Sequence, residues 1–300
     1  MLNSTQETMS LALQICSDLH LEKIETLHYE TYIIPTAPNL CLLGDICQID
    51  KPRKLFPFLE WCCRKFDRVF WVYGNHEFYV MDEPRPDRAM NTLKYFVERW
   101  ISEKKHDNLA ILDNKSVVVQ GVKLIGSTLW SNVPTNREAW ITWHINDYQN
   151  IGVMEGKVAR RLQVRDTNDY HQQSVEFIRN EINDCAERGL KAVVLTHHAP
   201  LFGESTAPQY RGNKNRWAFC SDQASLFGDP LGVRSHAPLL SLRTKRHYYC
   251  QQCTGIRCTM GLRSRPELQD LTLCQSDINT LLNDDLDKKK HDRSFRSPRK

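Results

Sequence analysis

Val69-Phe70-Trp71-Val72-Tyr73-Gly74-Asn75-His76-Glu77 is the stretch from which the rest of the chain can be read. Its first five residues are apolar or aromatic and have the length of a buried strand. The Gly-Asn-His behind them sets an amide and an imidazole side by side at the strand's carboxyl end, where open α/β sheets gather their ligands. Three further runs share this form. Leu11 to Cys16 leads into Ser17-Asp18-Leu19-His20, Leu40 to Leu43 into Gly44-Asp45, and Ala192 to Leu195 into Thr196-His197-His198-Ala199-Pro200. Four strand ends thus deliver Asp18, His20, Asp45, Asn75 and His197 to one edge.

The segments between them alternate in character. Pro52 to Phe66 carries Leu55, Phe58, Leu59, Cys62, Cys63 and Phe66 at three-four spacing, which predicts an amphipathic helix with Pro52 in its first turn. Asp87 to Lys104 repeats the pattern, and Asp166 to Arg188 predicts a third helix stopped by Gly189. Leu109 to Leu112, Ser116 to Val119 and Val122 to Ile125 read as short strands of an antiparallel meander. Strands and helices that alternate around an inserted meander suggest two sheets faced by helices rather than one doubly wound sheet.

Composition sets limits on function. Three hundred residues with 41% apolar content suffice for one large domain, with or without an appendage. No apolar run approaches the roughly 20 residues of a membrane span, and Asn3 to Glu7 do not resemble a signal peptide. The 11 cysteines are odd in number, and Cys16, Cys41, Cys62 and Cys63 sit in apolar stretches, as reduced thiols do. A soluble, cytoplasmic protein with no membrane partner is expected. Residues 241–300 hold 13 Lys and Arg against 7 Asp and Glu, so the other 240 residues carry −2 of the chain's net +4. The basic character belongs to the tail, and nucleic acid is not expected as the partner of the body.

Carboxylate, amide and imidazole donors together suit Mn, Fe or Zn, and resemble neither an all-oxygen Ca site nor a thiolate Zn site. The set exceeds what one ion needs. With Asp45 shared, it divides into Asp18, His20 and Asp45 for one divalent ion and Asp45, Asn75 and His197 for another. Two ions roughly 3.5 to 4 Å apart clamp a phosphoryl group and lower the pKa of a bridging water, which is the chemistry of phosphoester hydrolysis. His76 is the candidate catalytic residue, donating a proton to the leaving oxygen or holding a phosphate oxygen. Asn75, His76 and His198 are the candidate substrate contacts, and a small phosphorylated molecule is the expected substrate.

Asp18-Leu19-His20, Gly44-Asp45, Gly74-Asn75-His76-Glu77 and Thr196-His197-His198-Ala199-Pro200, in this order, resemble the calcineurin-like metallophosphoesterase superfamily from about Leu11 to Pro200. The resemblance implies an α/β fold of four αββα layers, two β-sheets flanked by helices. It also implies a dinuclear metal centre bridged by Asp45, with His76 as the catalytic or phosphate-binding imidazole. Thr128 to Ser131 and Asn146-Asp147-Tyr148 are similar to a small cytosolic branch.

The chain departs from that pattern at its end. The superfamily closes its site with Gly-His-Thr-His, and no Gly-His-x-His occurs here. Codons can be written for Leu231 to Pro238 whose shifted frame encodes Trp-Val-Phe-Gly-His-Thr-His. The expected division is therefore a phosphoesterase domain over 10–230 and a basic tail over 231–300, disordered or out of frame, with His236 as a possible stand-in ligand. Two rival readings stand beside the enzyme: a catalytically silent binding module lacking the closing motif, and a nucleic-acid binder acting through the tail, where Cys250, Cys253 and Cys258 begin a zinc-knuckle spacing.

Overall fold

The computed structural model describes residues 11–201, 213–223 and 226, together with the backbone of three strand segments at 239–242, 249–250 and 256–260. Twelve strands are found among these. β1 (Leu11–Cys16), β2 (Asn39–Leu43), β3 (Arg68–Val72), β4 (Leu109–Ile111) and β12 (Ile256–Met260) form one sheet in the order β12-β1-β2-β3-β4, parallel throughout. β5 (Lys115–Val119), β6 (Val122–Ser127), β9 (Lys191–Thr196), β10 (Leu239–Leu242) and β11 (Tyr249–Cys250) form the second, in the order β11-β10-β9-β6-β5. Its centre, β6-β9-β10, is parallel and its two edges are antiparallel. β7 (Gly152–Glu155) and β8 (Val158–Arg161) make a separate hairpin.

Side-chain alternation along the strands stacks the layers. Leu11, Leu13 and Ile15 of β1, Cys41 and Leu43 of β2, and Phe70 and Val72 of β3 share one buried cluster with Leu124, Val193 and Leu195 of the second sheet. The intervening residues Leu40, Leu42, Val69 and Trp71 join the opposite cluster with Leu55, Phe58, Leu59 and Cys62 of α1 (Pro52–Lys65) and Leu93 and Val97 of α2 (Met90–Lys104). On the far side, Ile125, Ala192 and Val194 pack against Ile178, Ile182 and Cys185 of a long helix, Val164–Arg188. The result is helix, sheet, sheet, helix, and the expected αββα architecture is the observed one.

The meander expected over Leu109 to Ile125 does not form as a unit. Only β5 and β6 pair antiparallel, through the turn at Gln120 and Gly121, while β4 runs parallel beside β3 in the first sheet. α2 is the reason: fifteen residues of helix carry the chain back over the sheet face, so β4 enters as the end of a crossover. Strand segments beyond residue 230 add β10 and β11 to one sheet and β12 to the other. Leu231 to Pro238 with His236, the side chains of Cys250, Cys253 and Cys258, and the basic end lie outside the described residues. No helix among the described residues is long and apolar enough to cross a membrane.

Candidate metal centre

The strand ends meet at an edge built of sharply turned backbone. Asp18, His20 and Asp45 all adopt left-handed conformations, with φ of 55°, 47° and 55°. Such positions cost side-chain-bearing residues on the order of 1 to 3 kcal/mol each, and they concentrate where function requires them. Cross-loop hydrogen bonds offset the cost. Asp18 N–H donates to the Gly44 carbonyl at 3.0 Å, His20 N–H to Asp45 at 3.0 Å and Leu21 N–H to Ile46 at 2.9 Å, so the loops after β1 and β2 run as a short ladder. Gly44 and Gly74 let a third loop close on these two. A Cβ on Gly44 would stand 2.6 Å from the Gly74 backbone, and one on Gly74 would stand 2.6 Å from the Asp45 nitrogen.

Glu77 fastens this assembly from beneath. Its fully buried carboxylate accepts the backbone N–H groups of Asp45 (2.9 Å) and Gly74 (2.7 Å) on one oxygen and of Ile46 (2.7 Å) on the other. Burial pushes its pKa up and the nearby Asp45 charge adds to that, while the three N–H groups pull the other way.

Above this floor the side chains converge on Asp45. One oxygen, Oδ1, lies 3.3 Å from His197 Nε2 and accepts the His76 backbone N–H at 3.0 Å; the other, Oδ2, lies 3.8 Å from His20 Nε2. Asn75 Oδ1 is 3.1 Å from the same His197 nitrogen. His20, Asp45 and His76 each offer a donor atom within 4.8 Å of the others. Asp18 is tied in through its backbone, and its carboxylate accepts the neighbouring Ser17 hydroxyl. His198 is buried behind, its ring edge-on to Trp130 and its Nδ1 3.4 Å from the Ser131 hydroxyl.

Proton accounting tests whether a cation fits. His197 Nδ1 sits 2.8 Å from the Leu43 carbonyl, which can only accept, so the ring proton is on Nδ1. Asn75 Nδ2 donates to the Asp147 carboxylate at 2.7 Å, so its oxygen is the end that faces His197. His197 Nε2 is then the ring atom that faces the Asp45 and Asn75 oxygens, at 3.3 and 3.1 Å. Such a cluster calls for positive charge, and mixed nitrogen and oxygen donors suit a divalent transition metal. The donors gathered around Asp45 fit a divalent cation of that kind.

Four side chains at the site lie outside the candidate set read from the sequence. Besides Glu77, these are Glu22, Tyr79 and Asp147. Glu22 Oε1 lies 3.2 Å from His20 Nδ1 and 3.9 Å from His76 Nδ1. Burial alone would raise its pKa, but the His20 hydrogen bond and the adjacent imidazoles bring it below the usual value. His76 is pushed down by burial, which Asp45 opposes. Asp147 Oδ1 accepts from Tyr79 Oη at 2.5 Å as well as from Asn75, and burial raises its pKa to about 6 against those two bonds. Glu22, Glu77 and Asp147 each stand within or beside a quoted motif. An acid so close to a ligand motif was the available signal.

A family profile described as calcineurin-like phosphoesterase matches residues 13–227. The uncharacterized protein L509 of Acanthamoeba polyphaga mimivirus is 30% identical over 235 residues, covering 73% of this chain and 81% of that protein. Among solved structures, the phosphopantetheinyl hydrolase PptH of Mycobacterium tuberculosis superposes with a TM-score of 0.60 at 15% identity, covering 90% of this chain and 98% of that one. At that identity the likeness is one of fold.

Proposed function

The chain belongs to the calcineurin-like phosphoesterase family, and from that premise we propose that it hydrolyses a small phosphorylated substrate at the Asp45 centre with two divalent cations, Mn, Fe or Zn. Asp18, His20 and Asp45 are the proposed holders of one ion, and Asp45, Asn75 and His197 of the other. Bound there, the ions would neutralise phosphoryl oxygen charge and lower the pKa of water.

The chain's own residues have separable tasks in this reading. Asp45 presents its two oxygens to different imidazoles, His197 on one side and His20 on the other, which suits a shared ligand. Glu77 keeps the Asp45 and Gly74 loops in register. His76 is the proposed catalytic imidazole; its backbone is fixed on Asp45 and its ring is stacked on Tyr79 with centroids 4.0 Å apart, so it cannot swing freely. From there it would hold a phosphate oxygen or pass a proton to the leaving oxygen. Asn75 is the second proposed substrate contact, and His198 is proposed to act behind His197.

The observation that carries the proposal is the convergence of Asp45 Oδ1 and Asn75 Oδ1 on His197 Nε2, at 3.3 and 3.1 Å. Hydrolysis of an aryl phosphate in the presence of Mn, abolished by Asp45→Ala, is the expected result. Full activity in that variant would overturn the assignment. One sequence feature favours the silent-module reading, the missing Gly-His-x-His. Metal analysis separates the two, with about two ions per chain for the enzyme and none for the module. The proposed out-of-frame origin of residues beyond 230 is tested by genomic reads across Phe219 to Pro238.

A further inference from the structure

Asn75 serves the centre only if its amide oxygen faces His197, and nothing in Asn75 itself decides this. The two ends of a terminal amide have nearly the same shape, and the terminal torsion is roughly two-fold. Left alone, the amide has a reason to turn the other way. Its NH2 would then face His197 Nε2, 3.1 Å away, and satisfy that nitrogen with a hydrogen bond in place of a cation.

We propose that Asp147 is the positioning residue that prevents this turn, so that the amide oxygen is presented to the cation. The inference rests on the Asp45 centre being a cation site. Asp147 is fully suited to the task because an ionised carboxylate only accepts. Its Oδ1 receives Asn75 Nδ2 at 2.7 Å, and a flipped amide would set oxygen against oxygen there. The same Oδ1 receives the Tyr79 hydroxyl proton at 2.5 Å, which turns the Tyr79 lone pairs toward Asn75 Nδ2 at 3.4 Å. Both neighbours of the amide nitrogen therefore act as acceptors. Remove Asp147, and the Tyr79 hydroxyl is released to donate to a flipped amide oxygen, so the change would act twice.

Backbone bonds hold Asp147 at this post. It opens a short helix, Asp147–Asn150, whose last residue accepts the Val80 N–H at 2.8 Å, and the next residue, Ile151, bridges to Tyr79. The segment is thereby strapped to the loop that carries Asn75 and Tyr79. Asp147 is also 2% exposed, out of reach of a substrate.

The test is equilibrium Mn binding to the full chain, followed by electron paramagnetic resonance of the free ion, in a double-mutant cycle. Asp147→Ala is expected to weaken Mn binding roughly 10- to 100-fold, the usual effect of losing a partner that orients a ligand. In an Asn75→Ala background the same change is expected to cost nothing further, because it acts through Asn75 alone. A merely structural role would produce the same loss in both backgrounds. Should Asp147→Ala fail to fold, Asp147→Asn runs the same cycle without a cavity, with a smaller loss that again vanishes beside Asn75→Ala. Parent-like Mn binding in the Asp147 variants, or an undiminished loss in the Asn75→Ala background, would overturn the proposal. Mn binding that survives Asp45→Ala would instead overturn the cation site itself.

Discussion

Glu77 reaches across 32 residues of sequence to grip the backbone N–H of Asp45 at 2.9 Å, and with the same carboxylate it holds Gly74 and Ile46. Two site loops are thus locked together by one fully buried side chain. Glu77→Gln keeps the shape but offers one accepting oxygen instead of two, so at least one N–H faces an NH2 group. Unmade buried hydrogen bonds cost about 1 to 3 kcal/mol each. Urea unfolding should show a loss of that size with unchanged secondary structure, and a loss below about 0.5 kcal/mol would show that the clamp is slack.

Gly74→Ala attacks the same junction sterically. The new methyl would meet the Asp45 carboxylate and stand 2.6 Å from the Asp45 nitrogen and 2.8 Å from the His197 ring. Backbone on one side and a buried ring on the other leave nothing flexible to yield, so the loops must part. The expected result is a destabilisation of about 1 to 3 kcal/mol, the usual range for overpacking, together with loss of Mn binding. Normal Mn affinity in this variant would show that the close approach is not needed.

The sequence made the strand ends legible because each motif is local, with an apolar run and then its polar terminus within a few residues. Asp18, His20, Asp45, Asn75 and His197 were placed at one edge that way, and the helices that cover the sheets were read from their spacing. What stayed hidden depends on distance along the chain. Asp147 meets Asn75 across 72 residues and Glu22 approaches His76 across 54, and no periodicity encodes either meeting. β4 was misassigned to a meander for a similar cause. Three apolar residues fit either sheet, and the helix before them, not their own pattern, settles which they join.

Away from the centre, Asp166 links the hairpin to the long helix. It accepts Arg160 Nη1 and Nη2 at 2.7 and 2.8 Å, and the Gln163 N–H at 2.8 Å as half of a capping box. Burial alone would raise its carboxyl, but Arg160 and the N–H outweigh burial and hold the folded pKa below the usual value. A lowered acid stabilises above its unfolded pKa of about 3.9 and loses that stabilisation as pH falls through the folded value. Asp166→Asn should therefore cost about 1 kcal/mol at neutral pH, as capping losses do, with the gap to the parent closing in acid below about pH 4. A gap that persists unchanged into strong acid would assign the effect to packing rather than charge.

The gathering of donors at the centre should make stability depend on metal. Asp45 Oδ1 and Asn75 Oδ1 stand 3.3 and 3.1 Å from His197 Nε2 in the folded chain, an arrangement the unfolded chain does not hold. A cation held by these donors therefore binds the folded state alone. Binding to the native state alone stabilises by about 2.7 kcal/mol at a hundredfold excess over Kd. At about 2 to 4 °C per kcal/mol for a domain of this size, Mn should raise Tm by roughly 5 to 10 °C and a chelator should reverse the rise. Asp45→Ala should lose the shift, and its metal-free form should melt only slightly below the parent's, with a loss of about 1 kcal/mol as the His76 N–H loses its acceptor. An equal Mn shift in parent and variant would place the ion elsewhere on the molecule, and a variant much less stable without metal would show that Asp45 serves the fold more than the cation.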